Sequence, residues 1–230
     1  MGSIRFGAPR ELVLWLRDTF HVRTFVETGT NRAETAVWAS DEFEKVITVE
    51  GFEPLYNEAV KSFGNRGNIT FLLGDSRGHV RDLCRSITEP TIFWLDAHWC
   101  GEHTFGDSDE CPVIEELEAL NSSSVSHFIL IDDARLFLAP PPPPHRADHW
   151  PDIATVCRVL SERPGKCYAA VYEDVILAVP SSAKLQTIEF LRGSKRRESS
   201  AQSGQAKSCS GMRNRLRRMG QQLGIAIKDK

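Results

Sequence analysis

Thr24-Phe25-Val26-Glu27-Thr28-Gly29-Thr30 decides how this 230-residue chain reads. A β-branched and aromatic run leads into an acid, and Gly29 supplies the freedom that a tight turn after a strand requires. A helical segment follows over Ala33–Ser40, and the unit then recurs. Strands are predicted at Val46–Glu50, Ile69–Leu73, Thr91–Leu95 and Phe128–Ile131. Helices are predicted at Pro9–Phe20, Pro54–Phe63, Val80–Ile87, Pro112–Leu120 and Ile153–Leu160, several with apolar residues at i, i+4 spacing such as Leu55, Ala59 and Phe63. Connections this long exclude hairpins, so the five strands form a parallel sheet with right-handed crossovers and helices on both faces, a doubly wound α/β fold. The rhythm changes at Cys167–Tyr172 and Val175–Val179, which only Glu173-Asp174 separates, the mark of an antiparallel hairpin at one sheet edge.

The charge is uneven. The net −3 divides into −12 over residues 1–191 and +9 over residues 192–230. An acidic body disfavours nucleic acid as a partner, because phosphate contacts need clustered Lys and Arg. The basic tail keeps RNA, anionic lipid or the acidic body itself open as its partner. No apolar run approaches the roughly 20 residues that cross a bilayer, and the opening Met-Gly-Ser-Ile-Arg-Phe lacks the apolar region of a signal peptide. The expectation is a cytoplasmic protein that does not engage membrane, its six cysteines reduced. The sequence leaves oligomeric state open, with a homodimer the common default. A domain over 1–191 is expected to precede a tail over 192–230. In that tail the Ser/Gln/Gly/Lys-rich stretch 193–211 reads as disordered, and 212–227 as a short basic helix. Pro140–Pro144 reads as a stiff polyproline II spacer after the fifth strand.

Carboxylates mark the strand ends. Glu27, Glu50, Asp75, Asp96 and Asp132 each stand at the C-terminal end of a predicted strand. In an open α/β sheet those ends border the ligand crevice. A single acid there often only caps the next helix, whereas five point to a cationic ligand or a metal. Asp96, Asp132 and Asp133 lie on adjacent strand ends, and three unpaired carboxylates that close repel one another. A divalent cation relieves that repulsion, and an all-oxygen set selects a hard ion: Mg²⁺ first, Mn²⁺ or Ca²⁺ as alternatives.

Phe25-Val-Glu-Thr-Gly-Thr30, Glu50 some twenty residues on, and Gly74-Asp75 resemble the class I S-adenosylmethionine-dependent methyltransferases over about residues 20–180. The resemblance implies a Rossmann-like, mostly parallel seven-stranded sheet of order 3-2-1-4-5-7-6. It implies that Glu27, Thr28, Gly29, Thr30 and Asn31 hold the methionine moiety and that Glu50, with Gly51, takes the ribose hydroxyls. Asp75, with Ser76, would reach the adenine amino group, Phe52 would pack on the adenine face, and Asp96 would border the cofactor. The turn departs from the family pattern at Ala33, where a second glycine is usual. The acids Asp96, Asp132 and Asp133 are similar in placement to the metal ligands of cation-dependent O-methyltransferases of the catechol and macrocin types. There the ion lowers the pKa of a hydroxyl on a small-molecule acceptor.

His98 has three readings: general base for that hydroxyl, further metal ligand, or an ordinary loop histidine. With Asp96 it forms the expected catalytic pair. A zinc site from His98, Cys100, His103 and Cys111 is disfavoured, since H-x-C-x₂-H-x₇-C matches no usual structural zinc spacing. The loop Gly101–Glu110, and the proline loop with His145 and His149, read as covers for the crevice. A cation-independent N- or C-methyltransferase and an inactive methyltransferase-like binding module remain the rival functions. A dinucleotide oxidoreductase is disfavoured because GxGxxG is missing.

Overall fold

The computed structural model describes residues 7–99, 101, 104–106 and 108–197. Cys100, His103, Asp107, all but the first few residues of 193–211, and the helix predicted at 212–227 lie outside the described residues. The chain divides into a unit over Met1–Lys184 and a second over Leu185–Lys230, whose described part is helical.

The first unit is built on seven strands: β1 (Thr24–Thr28), β2 (Lys45–Glu50), β3 (Ile69–Leu73), β4 (Thr91–Leu95), β5 (Phe128–Ile131), β6 (Cys167–Tyr172) and β7 (Val175–Pro180). They form one sheet in the order β3-β2-β1-β4-β5-β7-β6. The first five pair in parallel, while β7 pairs antiparallel with both β5 and β6. Helix α1 (Arg10–Phe20) precedes β1, and α2 (Glu34–Glu42), α3 (Glu53–Phe63), α4 (Ser76–Ser86), α5 (Val113–Asn121), α6 (Ala134–Leu138) and α7 (Ile153–Ser161) fill the connections. The side-chain period of two sends alternate strand residues to opposite faces. Val26, Phe93, Leu95, Ile129 and Ile131 thus share one core with Val80, Leu117, Leu120 and Val159 from α4, α5 and α7. On the other face Phe25 meets Trp38 of α2 edge-on and Phe20 of α1 packs against Phe128. Both faces being covered explains why β4 and β5 read as near-continuous apolar runs.

Two helices escaped the sequence reading. One is α6, only five residues long and too short to show a period. The other, α8 (184–197), has Leu185, Ile188 and Leu191 three positions apart, and it reaches into the stretch expected to be disordered. The proline run also differs from a straight spacer. It bends into a turn at 143–145, where the His145 N–H bonds the Pro142 carbonyl at 3.1 Å.

The turn after β1 is shaped by close approach. Gly29 has φ +86°, and a Cβ there would lie 2.2 Å from the Asp96 carbonyl oxygen. Ala33, fully buried at the start of α2, holds φ +61° and bears the side-chain strain that a glycine would not. Ala33→Gly is therefore expected to raise stability by up to about 1 kcal/mol, whereas Gly29→Ala should lower the melting temperature sharply; thermal unfolding followed by circular dichroism checks both.

Candidate active site

The parallel register delivers the acids to one place. Thr28 stands beside Val49 on one side and Leu95 on the other, and Leu95 beside Ile131. The ladder runs one step past the strands, since Asp96 N–H bonds the Thr28 carbonyl and Asp132 N–H the Leu95 carbonyl, each at 3.1 Å. Asp96 and Asp132 consequently leave adjacent strands at the same level. A 930 Å³ cavity opens above this rim. Of the residues singled out from sequence, Glu27, Gly29, Thr30, Asn31, Glu50 and Gly51 border it, as do Asp75, Ser76, Asp96, His98, Asp132 and Asp133. Thr28 and Phe52 do not. Thr28 is fully buried and receives the Asp96 N–H on its hydroxyl at 3.2 Å. Phe52 leads into α3, while Phe105 of the loop after β4 faces Gly51, where a Cβ would come within 2.4 Å of its ring.

Each acid has its own environment. Glu27 is buried and accepts the Thr48 hydroxyl at 2.7 Å. Burial pushes its carboxyl up to about 8, against the bonds from Thr48 and Thr35 and with a further push from Glu50. Glu50 receives the backbone N–H of Asn31 at 2.8 Å on one oxygen and that of Phe52 at 2.9 Å on the other. Asp75 caps α4 through the Arg77 N–H and is gripped by the Arg77 guanidinium, which also holds Asp109 at 2.5 Å. Burial raises the Asp75 carboxyl, but its bonds to Arg77 win and hold it below the usual range.

Asp96 lies well above the usual carboxylate range, because it is buried and because Asp132, Glu27 and Asp133 crowd it with like charge. Asp132 is pushed up to about 7 by burial and by Asp133. His98 is driven the other way, down to about 4, by burial against the opposing pull of Asp133. Its imidazole is therefore neutral at pH 7 and able to donate a lone pair. Asp96, His98 and Asp132 bring one donor atom each within 4.8 Å of one another. Asp133 lies beside that group without being one of its three members. Its backbone is left-handed at φ +56°, and its carboxylate is divided between Arg135 at 2.5 Å and His98 Nε2 at 3.1 Å. The donor set fits a divalent ion: two crowded carboxyls whose like charge needs a counter-ion, and a neutral imidazole with neither ring nitrogen hydrogen-bonded among the described residues.

A clasp that the sequence did not disclose joins two of the loops that border the cavity. Glu110, buried, accepts Trp150 Nε1 at 2.8 Å, the Arg146 N–H at 2.9 Å and His145 Nδ1 at 3.1 Å. It thereby fastens the loop after β4 to the proline loop. Burial raises its carboxyl, yet those bonds prevail and keep it below the usual range. Nothing local distinguishes Glu110 from other loop acids, because its partners lie 35 to 40 positions away. Glu116 of α5 was missed too: it is buried beneath the rim beside Ser76 and Thr28, and pushed up to about 7 by burial.

No protein-family profile matches the sequence, and no curated protein matches it. Solved structures do match in fold. The O-methyltransferase TomG from Streptomyces achromogenes, involved in tomaymycin synthesis and solved with SAM, is 18% identical at a TM-score of 0.52, over 76% of this chain and 81% of its own. An O-methyltransferase from Bacillus cereus in complex with SAH is 16% identical at a TM-score of 0.55, over 78% and 84%. The SAH-bound methyltransferase PaMTH1 from Podospora anserina is 14% identical at 0.52, over 74% and 76%. The fold of this chain is the Rossmann-like methyltransferase fold, with the strand order that the turn at Glu27–Thr30 led us to expect. Among the described residues, no helix is long and apolar enough to cross a membrane.

The raised carboxyls set a pH dependence. A carboxyl whose folded pKa exceeds its unfolded value stabilises the fold fully below about 4.5 and loses that contribution as pH rises through the folded pKa. For Glu27 the window runs from about 4.5 to about 8. Glu27→Gln should thus stabilise the ligand-free protein at pH 8 by roughly 1–3 kcal/mol and have little effect at pH 4, as read by urea unfolding at the two pH values. Glu110→Ala leaves three donors without their acceptor and is expected to cost about 1–3 kcal/mol while speeding proteolytic cleavage in the proline loop.

Proposed function

We propose that this chain is an S-adenosylmethionine-dependent methyltransferase that methylates a hydroxyl on a small molecule, assisted by a divalent cation. The observation that carries the reading is the gathering of Glu27, Glu50, Asp96 and Asp132 around one cavity, with His98 among them. Cofactor-bound O-methyltransferases of the same fold support it.

When bound, S-adenosylmethionine supplies an electrophilic methyl group on a cationic sulfur, and the ion supplies a Lewis acid that acidifies the hydroxyl. The residues of the chain do the rest. Glu27, its carboxyl raised to about 8, carries a proton at pH 7 when its neighbourhood holds no cation and becomes a carboxylate when one enters, while burial and like charge raise the Asp96 carboxyl in the same direction. Glu50, oriented by two backbone N–H groups, offers its remaining lone pairs to the ribose hydroxyls. Asp75 faces the adenine end while tied to Arg77, so its free lone pairs, rather than a free side chain, serve that contact. Phe105 takes the covering place beside Gly51 that the sequence reading gave to Phe52. Asp96, His98 and Asp132 would hold the ion, and Asp133 would steady His98 while paired with Arg135. Transfer itself is an in-line displacement, for which the protein contributes alignment and exclusion of water.

Isothermal titration tests the reading without knowledge of the acceptor. S-adenosylmethionine and its demethylated product should both bind, and Glu50→Ala should weaken them by about tenfold or more. Asp132→Ala should abolish cation binding and spare cofactor binding. A protein that binds neither nucleoside is no methyltransferase, and one that methylates an acceptor at full rate in chelator refutes the cation's part.

A further inference from the structure

We propose that the ion taken by this site is a first-row transition-metal dication of the manganese, iron(II) or cobalt(II) kind, with His98 as its nitrogen ligand, and not magnesium. The inference rests on the cation reading above and goes beyond it in naming the class of metal.

His98 is the distinctive ligand candidate. Its Nε2 lies 3.4 Å from Asp96 Oδ1 and 3.1 Å from Asp133 Oδ2. A histidine kept for structure among carboxylates would donate to one of them along a good hydrogen-bond line. Here neither Nδ1 nor Nε2 makes a hydrogen bond among the described residues, and both nitrogens are shut off from solvent. Trp150 lies against the ring with centroids 5.3 Å apart, so the imidazole has little room to turn toward another partner. Trp150 is itself fixed through Nε1 on the buried Glu110. A buried imidazole whose nitrogens complete no well-aligned hydrogen bond among the described residues, held beside the carboxyls of Asp96 and Asp132, has the shape of a ligand set of one nitrogen and two oxygens.

That set discriminates between ions. Magnesium takes oxygen ligands at short octahedral distances, keeps several waters and gains little from imidazole. Calcium likewise selects oxygens and prefers six to eight of them. Imidazole suits the transition ions, whose affinity for a nitrogen-bearing site rises along the series from manganese. An all-oxygen set of Asp96, Asp132 and Asp133 would favour magnesium, but Asp133 is engaged by Arg135, and the third donor in place is His98. Three ligands drawn from two neighbouring strand ends also leave other positions open for a hydroxyl and water.

Metal-free protein titrated with Mn²⁺, Co²⁺ and Mg²⁺ alone, without cofactor or acceptor, tests the proposal. Co²⁺ and Mn²⁺ should bind at least about tenfold more tightly than Mg²⁺. Pulsed electron paramagnetic resonance of the Mn²⁺ complex should show coupling to an imidazole ¹⁴N. His98→Gln should erase that coupling and weaken Co²⁺ by about tenfold or more, with Mg²⁺ changed far less. The wild-type measurements need no variant, so they stand even if the substitution disturbs folding. Equal or tighter Mg²⁺ binding, or bound Mn²⁺ without nitrogen coupling, overturns the proposal and leaves the cation reading intact. Failure of all three ions to bind overturns that reading as well.

Discussion

Like charge held out of water is the constraint on which the site depends. Glu27, Asp96 and Asp132 are brought together by the parallel register of β1, β4 and β5, and among the described residues no Lys or Arg pairs with them. Two costs follow, desolvation and mutual repulsion, and both are relieved by protonation when no cation is near. A positively charged ligand relieves them differently, by drawing the carboxyls into their ionised form. Burial and crowding destabilise the ionised rim in its free state, and that same instability favours a cation that enters.

The scaffold keeps this arrangement from collapsing. Gly29 lets the backbone of the first turn run against the Asp96 carbonyl, a separation that any Cβ would prevent. Thr28 and Thr48, both fully buried, hold the site from below: the Thr28 hydroxyl accepts the Asp96 backbone N–H, and the Thr48 hydroxyl donates to the Glu27 carboxyl. The surplus charge is managed at the margins. Arg77 joins Asp75 to Asp109, Arg135 joins Asp133 to Asp174, and Glu110 gathers the two long loops around its own carboxylate. A network that leaves the centre unneutralised while pairing its edges belongs to a site kept ready for a ligand.

Much of this was legible in the chain itself, for reasons that are local. Strand and helix alternate with clear periods, and acids follow the apolar runs directly, so Glu27, Glu50, Asp96 and Asp132 could be placed at strand ends from spacing alone. The strand order came from the resemblance carried by Glu27–Thr30, Glu50 and Asp75. What escaped is what depends on distant partners. The division of labour between Asp132 and Asp133 turns on a left-handed backbone at Asp133 and on Arg135. Phe105 rather than Phe52 borders the cavity because a loop some fifty residues on folds back over Gly51. The Glu110 clasp joins two loops whose lengths had marked them as covers, but whose contact no spacing reveals. The end of helix α8 was hidden by composition, because after Leu191 it runs into Arg, Gly, Ser and Lys.

The central claim is that acids protonated at this rim give up protons when a cationic nucleoside arrives. Calorimetry of S-adenosylmethionine binding at pH 7, in metal-free buffers of differing ionisation enthalpy, counts those protons directly. The account expects net release approaching one proton or more per molecule bound, since Glu27 with its carboxyl at about 8 is mostly protonated beforehand. Tight binding with no proton released, or with protons taken up, would contradict it.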